Sequence, residues 1–235
     1  YDMMAACSGW IYPVQQATAF IHSGMAKRGA IIVTEMSDAG LDFTNEKSSP
    51  LIGDVATCTL MSWSDEPGIF DVVCEANKGN GVPKDIITLG FSPMSAHSGF
   101  EDPFQAVSDF STKCQVPKVN EPFELKGKSV FSAGIKSMTQ NTMTNLETSK
   151  ENFEKEPDWF VFHQANGAML LKILENAGVN SQKNLYNIDK LGNTIAATIP
   201  SVLAGDWSKI KKGDIISAIA FGGGITSGRL LFKKI

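Results

Sequence analysis

Three residues of the sequence have types and local contexts suited to nucleophilic catalysis or ligand binding, although they lie far apart along the chain. Cys7 in "AACSGW" comes just before a helical pattern, where free backbone N–H groups and the helix dipole are expected to lower the pKa of the thiol and favour the nucleophilic thiolate. His163 in "DWFVFHQAN" follows a very apolar strand pattern, at the sheet edge where open α/β folds bind ligands. Asn193 in "LGNTIAATIPSVL" opens a helical segment.

Each of these residues also has an ordinary structural explanation. A lone cysteine more often packs as a small core residue, and a lone histidine at the end of an apolar strand is more often buried and hydrogen-bonded than catalytic. Asn193 by itself is typical of a helix N-cap. The cluster "FGGGITSG" lacks the lysine of a phosphate-binding loop and the dinucleotide-binding fingerprint, but its glycines can bring bare backbone N–H groups close to an oxyanion.

The elements that must position these residues are predicted from apolar periodicity. In the first part of the chain we expect a short buried strand over residues 2–6, a helix over roughly 8–23, and strands in "GAIIVTE", "GDVATCTLMSW", "PGIFDVVCEA" and "DIITLGF". In the second part we expect a helix over 131–149, a strand and a helix in "DWFVFHQANGAMLLKILENAG", and two strands in "DIISAIAFGGGITSGRLLFKK". The repeated order indicates two related α/β halves, with Cys7 and His163 in equivalent places.

The repeat also predicts the domain organisation. Residues 1–120 are expected to be the remainder of the first half, with 92–120 a long insertion that serves as a lid or an interface, and residues 121–235 to be the second half. The first half starts at its own catalytic junction. We therefore expect the strands and helices that should precede Tyr1 to come from residues not shown or from another chain.

Composition excludes several classes of function. The chain has 235 residues, 43% of them apolar, and a formal charge of −4 with no basic run, so it does not resemble a nucleic-acid binder. No apolar run approaches the length of a membrane span and no signal peptide is visible, which predicts a cytoplasmic protein with no membrane partner. The cysteines form no C-x-x-C pair, so a metal site or a disulfide framework is not indicated: Cys7, Cys58, Cys74 and Cys114.

Four ordered motifs together resemble one known family. The segments "DMMAACSGWIYPVQQATAFIHSG", "DWFVFHQAN", "GNTIAATIPSVL" and "AFGGGITSGRLLF" are similar to the successive signatures of the ketoacyl-ACP synthase III family, the initiating condensing enzymes of the thiolase superfamily. The resemblance extends from residue 2 to residue 232. It implies the thiolase-like five-layered αβαβα sandwich built from two related halves, an α/β fold, and normally a homodimer.

The resemblance also implies roles for individual residues. Cys7 is then the acyl-accepting nucleophile, with His163 and Asn193 as its partners, and the backbone N–H groups of Cys7 and Gly223 form the oxyanion hole. Phe221 lies beside the reacting centre, and Asn166 of the "HQAN" motif is expected near the substrate. The implied reaction loads an acyl group from acyl-CoA onto Cys7 and condenses it with malonyl-ACP or malonyl-CoA to a β-ketoacyl product. It requires no metal or redox cofactor, since CoA or the phosphopantetheine of an acyl carrier protein arrives with the substrates.

Departures from the family pattern leave open whether acyl carrier protein or CoA carries the malonyl group. The arginine that often follows "HQAN" and contacts the carrier protein is replaced by "GAMLL", with Lys172 as the nearest base, and the common turn "GDGAGA" reads "GDVATC". A papain-like protease shares the order Cys, His, Asn, but its local cysteine signature is missing. The motifs are also compatible with a thiolase-fold acyltransferase that passes the acyl group to an alcohol or amine, and with a non-catalytic partner subunit.

Overall fold

The computed structural model describes residues 1–36, 51–62, 70–75, 87–88, 124–125, 127–223 and 226–234. The α-helices are α1 Ile11–His22, α2 Gly127–Phe153, α3 Gly167–Asn176, α4 Ile188–Leu191 and α5 Thr198–Asp206. The β-strands are β1 Arg28–Glu35, β2 Val55–Ser62, β3 Phe70–Glu75, β4 Ile87–Thr88, β5 Glu124–Leu125, β6 Trp159–Phe162, β7 Asn184–Leu185, β8 Ile215–Gly222 and β9 Thr226–Lys234. The expected insertion at 92–120 lies outside the described residues.

A five-stranded mixed sheet forms the centre of the described structure, in the order β3-β9-β8-β6-β7. Strand β9 is antiparallel to both β8 and β3, whereas β6 is parallel to β7 and β8. All eight residues of β8 are buried, which requires apolar cover on both faces of the sheet. This explains why "IISAIAFG" is a nearly continuous apolar run rather than an alternating one.

Two apolar clusters cover the two faces of this sheet. Side chains of β8 alternate between them, with Ile216, Ala218 and Ala220 in one cluster and Ile219 and Phe221 in the other. The first cluster joins the sheet to α1, α5 and β1, and the second joins it to α2 and α3. The layers are therefore helices, sheet and helices, followed by the two-stranded antiparallel sheet of β1 and β2.

The outer face of β1 and β2 is apolar and carries no helical layer within the described part of the chain. Ile32 is 71% exposed and Leu60 is 79% exposed, while Ile31 and Val33 on the opposite face are buried in the first cluster. The described residues thus form four layers, αβαβ, in agreement with the predicted α/β class. Among the described residues, no helix is both long and apolar enough to cross a membrane.

The repeat between the halves is real, but its alignment differs from the expected one. A short 3₁₀ turn, a helix and two antiparallel strands occur twice: Ala6–Ser8 with α1, β1 and β2, and Ile195–Ala197 with α5, β8 and β9. Each turn begins with a residue of positive φ, 45° at Ala6 and 46° at Ile195. The counterpart of the Cys7 junction is therefore the Ile195 turn, not the His163 junction. The strand expected over residues 2–6 is absent, since residues 1–5 have no regular secondary structure and the 3₁₀ turn begins at Ala6.

Strand pairing also bears on the expected boundary between residues 120 and 121. That boundary assigns β3 to the first half, yet β3 pairs along its whole length with β9, from Phe70 opposite Lys234 to Glu75 opposite Arg229. Pairing of this kind places β3 in the sheet of the second half. The boundary between residues 120 and 121 itself stays a prediction.

Candidate active site

Cys7 lies at the centre of the Ala6–Ser8 turn, against the end of β8. The backbone of Gly222 approaches it so closely that an added Cβ would lie 2.7 Å from the Cys7 nitrogen and 3.0 Å from its Cβ. Only a glycine fits there without moving one of the two backbone segments. The first glycine of "FGGGITSG" therefore serves close packing, a role that the sequence analysis did not separate from that of Gly223.

The Cys7 thiol is more basic than expected. Burial raises its pKa to about 12, with a further increase from the negative charge of Glu35, although the backbone N–H groups of Cys7 and Gly223 act in the opposite direction. The predicted lowering of this pKa is wrong because desolvation by burial outweighs the nearby backbone N–H groups, and α1 itself begins only at Ile11, beyond the short turn that holds the thiol. The resting group is a thiol, which needs a base to become a nucleophile.

The two backbone donors predicted for an oxyanion hole both reach the sulfur. The N–H groups of Cys7 and Gly223, one from the Ala6–Ser8 turn and one from the turn after β8, both act on the thiol and oppose the rise of its pKa. Donors that converge on the nucleophile can also reach an oxygen on a carbon bonded to it. Their role towards an oxyanion stays a prediction.

His163 follows β6 and is held by backbone groups on two sides. Its N–H donates to the Ile219 carbonyl at 2.8 Å, and its ring Nδ1 donates to the Ile195 carbonyl at 3.1 Å. The side chain is 3% exposed, and burial lowers its pKa to about 4 despite the bond to Ile195. At neutral pH the imidazole is therefore neutral, with the proton on Nδ1 and an accepting lone pair on Nε2.

Asn193 is fixed by its backbone and by one atom of its amide. Its N–H donates to the Leu51 carbonyl at 2.7 Å, and its carbonyl accepts from Gly53 at 3.1 Å. Its side-chain Oδ1 accepts from the Ile195 N–H at 3.0 Å. The donor at Ile195 sets the orientation of the amide, so the Nδ2 group is the part of Asn193 that can donate to a ligand.

Ile195 connects the two predicted partners of the nucleophile, and sequence reasoning missed it. Its N–H binds Asn193 and its carbonyl binds His163, while its own φ of 46° is rare for a β-branched residue. The Ile195–Ala197 turn also packs against the Cys7 turn, where an added Cβ on Gly9 would lie 3.0 Å from the Ala196 Cβ. Cys7, His163 and Asn193 are thus brought into one region by two contacting turns.

Glu35 is a second residue that sequence reasoning missed. It is the last residue of β1, is half-buried, and its Oε1 accepts from the Ala196 N–H at 3.1 Å. Burial raises the pKa of its carboxyl group, and the bond from Ala196 partly opposes that rise. An acidic residue at the end of the apolar strand "AIIVTE" was the signal that could have found it.

The remaining residues of the "HQAN" motif have structural contacts. Gln164 Oε1 accepts from the N–H groups of Asn187 at 3.0 Å and Ile188 at 2.8 Å, which ties the end of β6 to the start of α4. Asn166 Oδ1 accepts from Ala168 at 2.9 Å and Met169 at 3.3 Å and so caps α3. Its expected position near the substrate stays a prediction.

Phe221 lies on β8 and is 5% exposed, in the cluster between the sheet and helices α2 and α3. Its neighbour Gly222 touches Cys7, but adjacent side chains of a strand point to opposite faces, so the expected place of the Phe221 ring beside the reacting centre stays a prediction. Contact with a substrate stays a prediction. In the part of the chain that is described, no group of three or more His, Cys, Asp or Glu side chains could hold a metal ion.

Comparisons with known proteins find relatives that match almost the whole chain. Residues 1–78 match the family described as 3-oxoacyl-[acyl-carrier-protein] synthase III, and residues 148–234 match its C-terminal domain. The β-ketoacyl-[acyl-carrier-protein] synthase III of Aliarcobacter butzleri is 34% identical over 99% of this chain and 66% of its own length. That of Porphyromonas gingivalis is 30% identical over 99% of this chain and 65% of its own length. The chain thus spans slightly less than two thirds of these relatives.

Solved structures show the same fold. The 3-oxoacyl-[acyl-carrier-protein] synthase III of Aquifex aeolicus superposes with a TM-score of 0.75 at 27% identity, covering 99% of this chain and 66% of the other. The priming β-ketosynthase of the R1128 polyketide pathway gives 0.75 at 22% identity, covering 100% and 65%. The predicted thiolase-like fold is confirmed. The matched domains and relatives together show that the chain belongs to the 3-oxoacyl-[acyl-carrier-protein] synthase III family.

Proposed function

We propose that this chain carries the catalytic groups of a decarboxylating condensing enzyme. It transfers an acyl group from acyl-CoA to Cys7 and condenses it with a malonyl thioester to give a β-ketoacyl product. The observation that carries the proposal is the contact between the two turns, because it joins the thiol of one half to the His163 and Asn193 groups of the other.

Acyl loading starts from a neutral pair. The Cys7 thiol, with its pKa raised to about 12, passes its proton to the free Nε2 lone pair of His163 as the sulfur attacks the thioester carbonyl. The carbonyl oxygen becomes an oxyanion that accepts from the N–H groups of Cys7 and Gly223. Collapse of this intermediate breaks the bond to the CoA sulfur, which leaves with the proton from His163.

Condensation depends on stabilising an enolate. The malonyl carboxylate leaves as carbon dioxide, its bonding electron pair moves onto the thioester, and the enolate oxygen accepts from the Nδ2 group of Asn193. The enolate carbon attacks the acyl group on Cys7, and the Cys7 sulfur leaves and takes up a proton from solvent, since the proton of the loading step has left with CoA. His163 donates to the enolate only when a proton is on Nε2, since its Nδ1 proton is committed to Ile195.

The substrates, the biosynthetic role, the oligomeric state and the location in the cell are part of the same proposal. The acyl donor is an acyl-CoA and the malonyl carrier is an acyl carrier protein or CoA, with no metal or redox cofactor of the protein's own. The names of the relatives, which include β-ketoacyl-[acyl-carrier-protein] synthases III and a polyketide priming β-ketosynthase, support a role in fatty acid or polyketide biosynthesis. A homodimer in the cytoplasm is proposed from the family resemblance.

The orientation of Asn193 favours condensation over transfer of the acyl group to an alcohol or amine. Such a transfer needs chiefly the base that His163 supplies, whereas an enolate needs a donor, and the bond from Ile195 N–H to Asn193 Oδ1 presents one. The presence of Cys7 and a base-competent His163 in one region argues against a non-catalytic partner subunit.

The proposal is tested by weighing the full-length protein after incubation with a panel of acyl-CoAs. A mass increase equal to one acyl group, absent in Cys7→Ala, is expected for at least one donor, and added malonyl-ACP or malonyl-CoA should then discharge it as a β-ketoacyl product. Absence of any adduct would favour a non-catalytic subunit. Discharge by an alcohol or amine but by neither malonyl thioester would favour the acyltransferase.

A further inference from the structure

One peptide group separates the Glu35 carboxyl from the His163 ring. The Ala196 N–H donates to Glu35 Oε1 at 3.1 Å, and the Ile195 carbonyl accepts from His163 Nδ1 at 3.1 Å. That N–H and that carbonyl belong to the same planar peptide unit. In a trans peptide they point in opposite directions, so the carboxyl and the imidazole lie at its two ends.

The conformation of this peptide group is strained and needs contacts from its neighbours. It follows a residue at φ 46°, which strains the backbone and persists only where neighbouring contacts fix it. Its carbonyl also accepts from the hydroxyl of Thr198 at 2.9 Å and from the backbone N–H of Thr198, both within the same turn and helix. The Glu35 bond differs because it comes from β1, in the other half of the fold.

We propose that Glu35 is a positioning residue for His163, acting through the peptide group between Ile195 and Ala196. By binding the N–H end, Glu35 fixes the plane of the peptide and aims its carbonyl at Nδ1. That keeps the proton on Nδ1 and leaves the Nε2 lone pair ready for the Cys7 proton. The catalytic consequence rests on the function proposed above, whereas the effect on the imidazole does not.

Polarisation adds to this orienting effect. Hydrogen bonds in a chain strengthen one another, so an acceptor on the N–H of a peptide makes its carbonyl a better acceptor. A better acceptor at Nδ1 raises the basicity of Nε2, as a directly bound carboxylate does for the histidine of a Ser-His-Asp triad. Here the carboxyl group acts across one intervening peptide.

The same peptide also affects Asn193. The N–H of Ile195 holds Asn193 Oδ1, so tilting the turn would misalign the amide together with the imidazole. Glu35 therefore links the first half of the fold to both groups that the second half contributes. A residue with this role is expected to affect turnover more than the binding of acyl-CoA.

Two substitutions separate the hydrogen bond from the charge. Glu35→Gln keeps an oxygen that can accept from Ala196 but removes the negative charge, whereas Glu35→Ala removes both. Thr34→Ala, at an exposed neighbouring position of β1, is the control for disturbance of the strand. If Glu35→Ala does not fold, Glu35→Met replaces it as a variant of similar length without an acceptor.

The first readout is the imidazole ¹⁵N spectrum of the full-length protein labelled at histidine, with His163 assigned by comparison with His163→Ala. Wild type, Glu35→Gln and Thr34→Ala are expected to show the proton on Nδ1, and Glu35→Ala a shift towards Nε2. The second readout is turnover. It should fall about tenfold in Glu35→Ala, as for a loss of about 1.4 kcal/mol of transition-state stabilisation, with KM for acyl-CoA little changed and most of the loss recovered in Glu35→Gln.

Two results would overturn the inference. One is an unchanged His163 spectrum in Glu35→Ala, and the other is an equal loss of turnover in Glu35→Gln and Glu35→Ala, which would assign the effect to charge. If wild type forms no acyl adduct on Cys7, the proposed function fails, yet the spectrum still decides whether Glu35 positions His163.

Discussion

Replacing Asn193 by aspartate isolates the donor that the proposed condensation requires. The side-chain Oδ1 of Asn193 holds the Ile195 N–H at 3.0 Å, and aspartate keeps an oxygen for that bond. The Ile195 turn and His163 should therefore stay in place. What changes is the other amide atom, because the Nδ2 donor becomes a second, negatively charged oxygen.

The size of the effect follows from that exchange. Loss of one donor to a developing oxyanion typically costs about 3 to 4 kcal/mol, or roughly 10²- to 10³-fold in rate, and a like charge beside the enolate adds to it. Acyl loading uses the backbone donors of Cys7 and Gly223 and the lone pair of His163, so it should stay close to the wild-type rate.

The assay measures the two steps separately. Loading is followed by the mass of the acyl-enzyme, and decarboxylation by release of labelled carbon dioxide from a malonyl thioester. Asn193→Ala is the matched control, since it removes the donor and also the Oδ1 bond to Ile195, and it should therefore slow both steps. Equal loss of loading and decarboxylation in Asn193→Asp would refute the assignment of Asn193 to the condensation step alone.

Three other changes test the site. Alkylation of Cys7 by iodoacetamide at pH 7 should be about 30- to 60-fold slower than for an unperturbed thiol, and it should rise with pH. Raising the pKa from 9.0 to about 12 lowers the thiolate fraction about 10³-fold, which the stronger nucleophilicity of a more basic thiolate partly offsets; a fast, pH-independent reaction would contradict this. Gly222→Ala should destabilise the protein by about 1–3 kcal/mol in urea unfolding, whereas Gly205→Ala, where an added Cβ meets nothing within 4 Å, should not. Asn166→Ala should cost about 1 kcal/mol by loss of the α3 cap, and Asn166→Asp should retain it; weaker substrate binding at unchanged stability would instead assign Asn166 to the substrate.

Local patterns in the sequence were sufficient for most elements of the fold. Buried strands such as β8 and the helix that Asn166 caps are coded by nearby residues, and so they were predicted close to their observed positions. The membership of β3 in the second sheet was not, because pairing with β9 joins residues more than 150 positions apart in the chain.

The side chains proposed to react could be named from the sequence, whereas their environment in the fold could not. Cys7, His163 and Asn193 stand in recognisable motifs, but Ile195 acts through backbone atoms that any residue possesses. The raised pKa of the thiol comes from burial and from Glu35, which reaches the site only after the halves have packed. Helix-dipole reasoning failed for the same reason, since local sequence does not report desolvation.

The two equivalent turns with positive φ have a consequence for how tightly the molecule must be joined. The contact between these two turns forms a seam, with the Cys7 sulfur on one side and His163 and Asn193 on the other. The proposed reaction therefore needs groups from both sides. A slip of about 1 Å along this seam would cost roughly 10²-fold in rate even if every bond inside each side survived. Substitutions along the seam should therefore abolish the proposed activity before they unfold the protein.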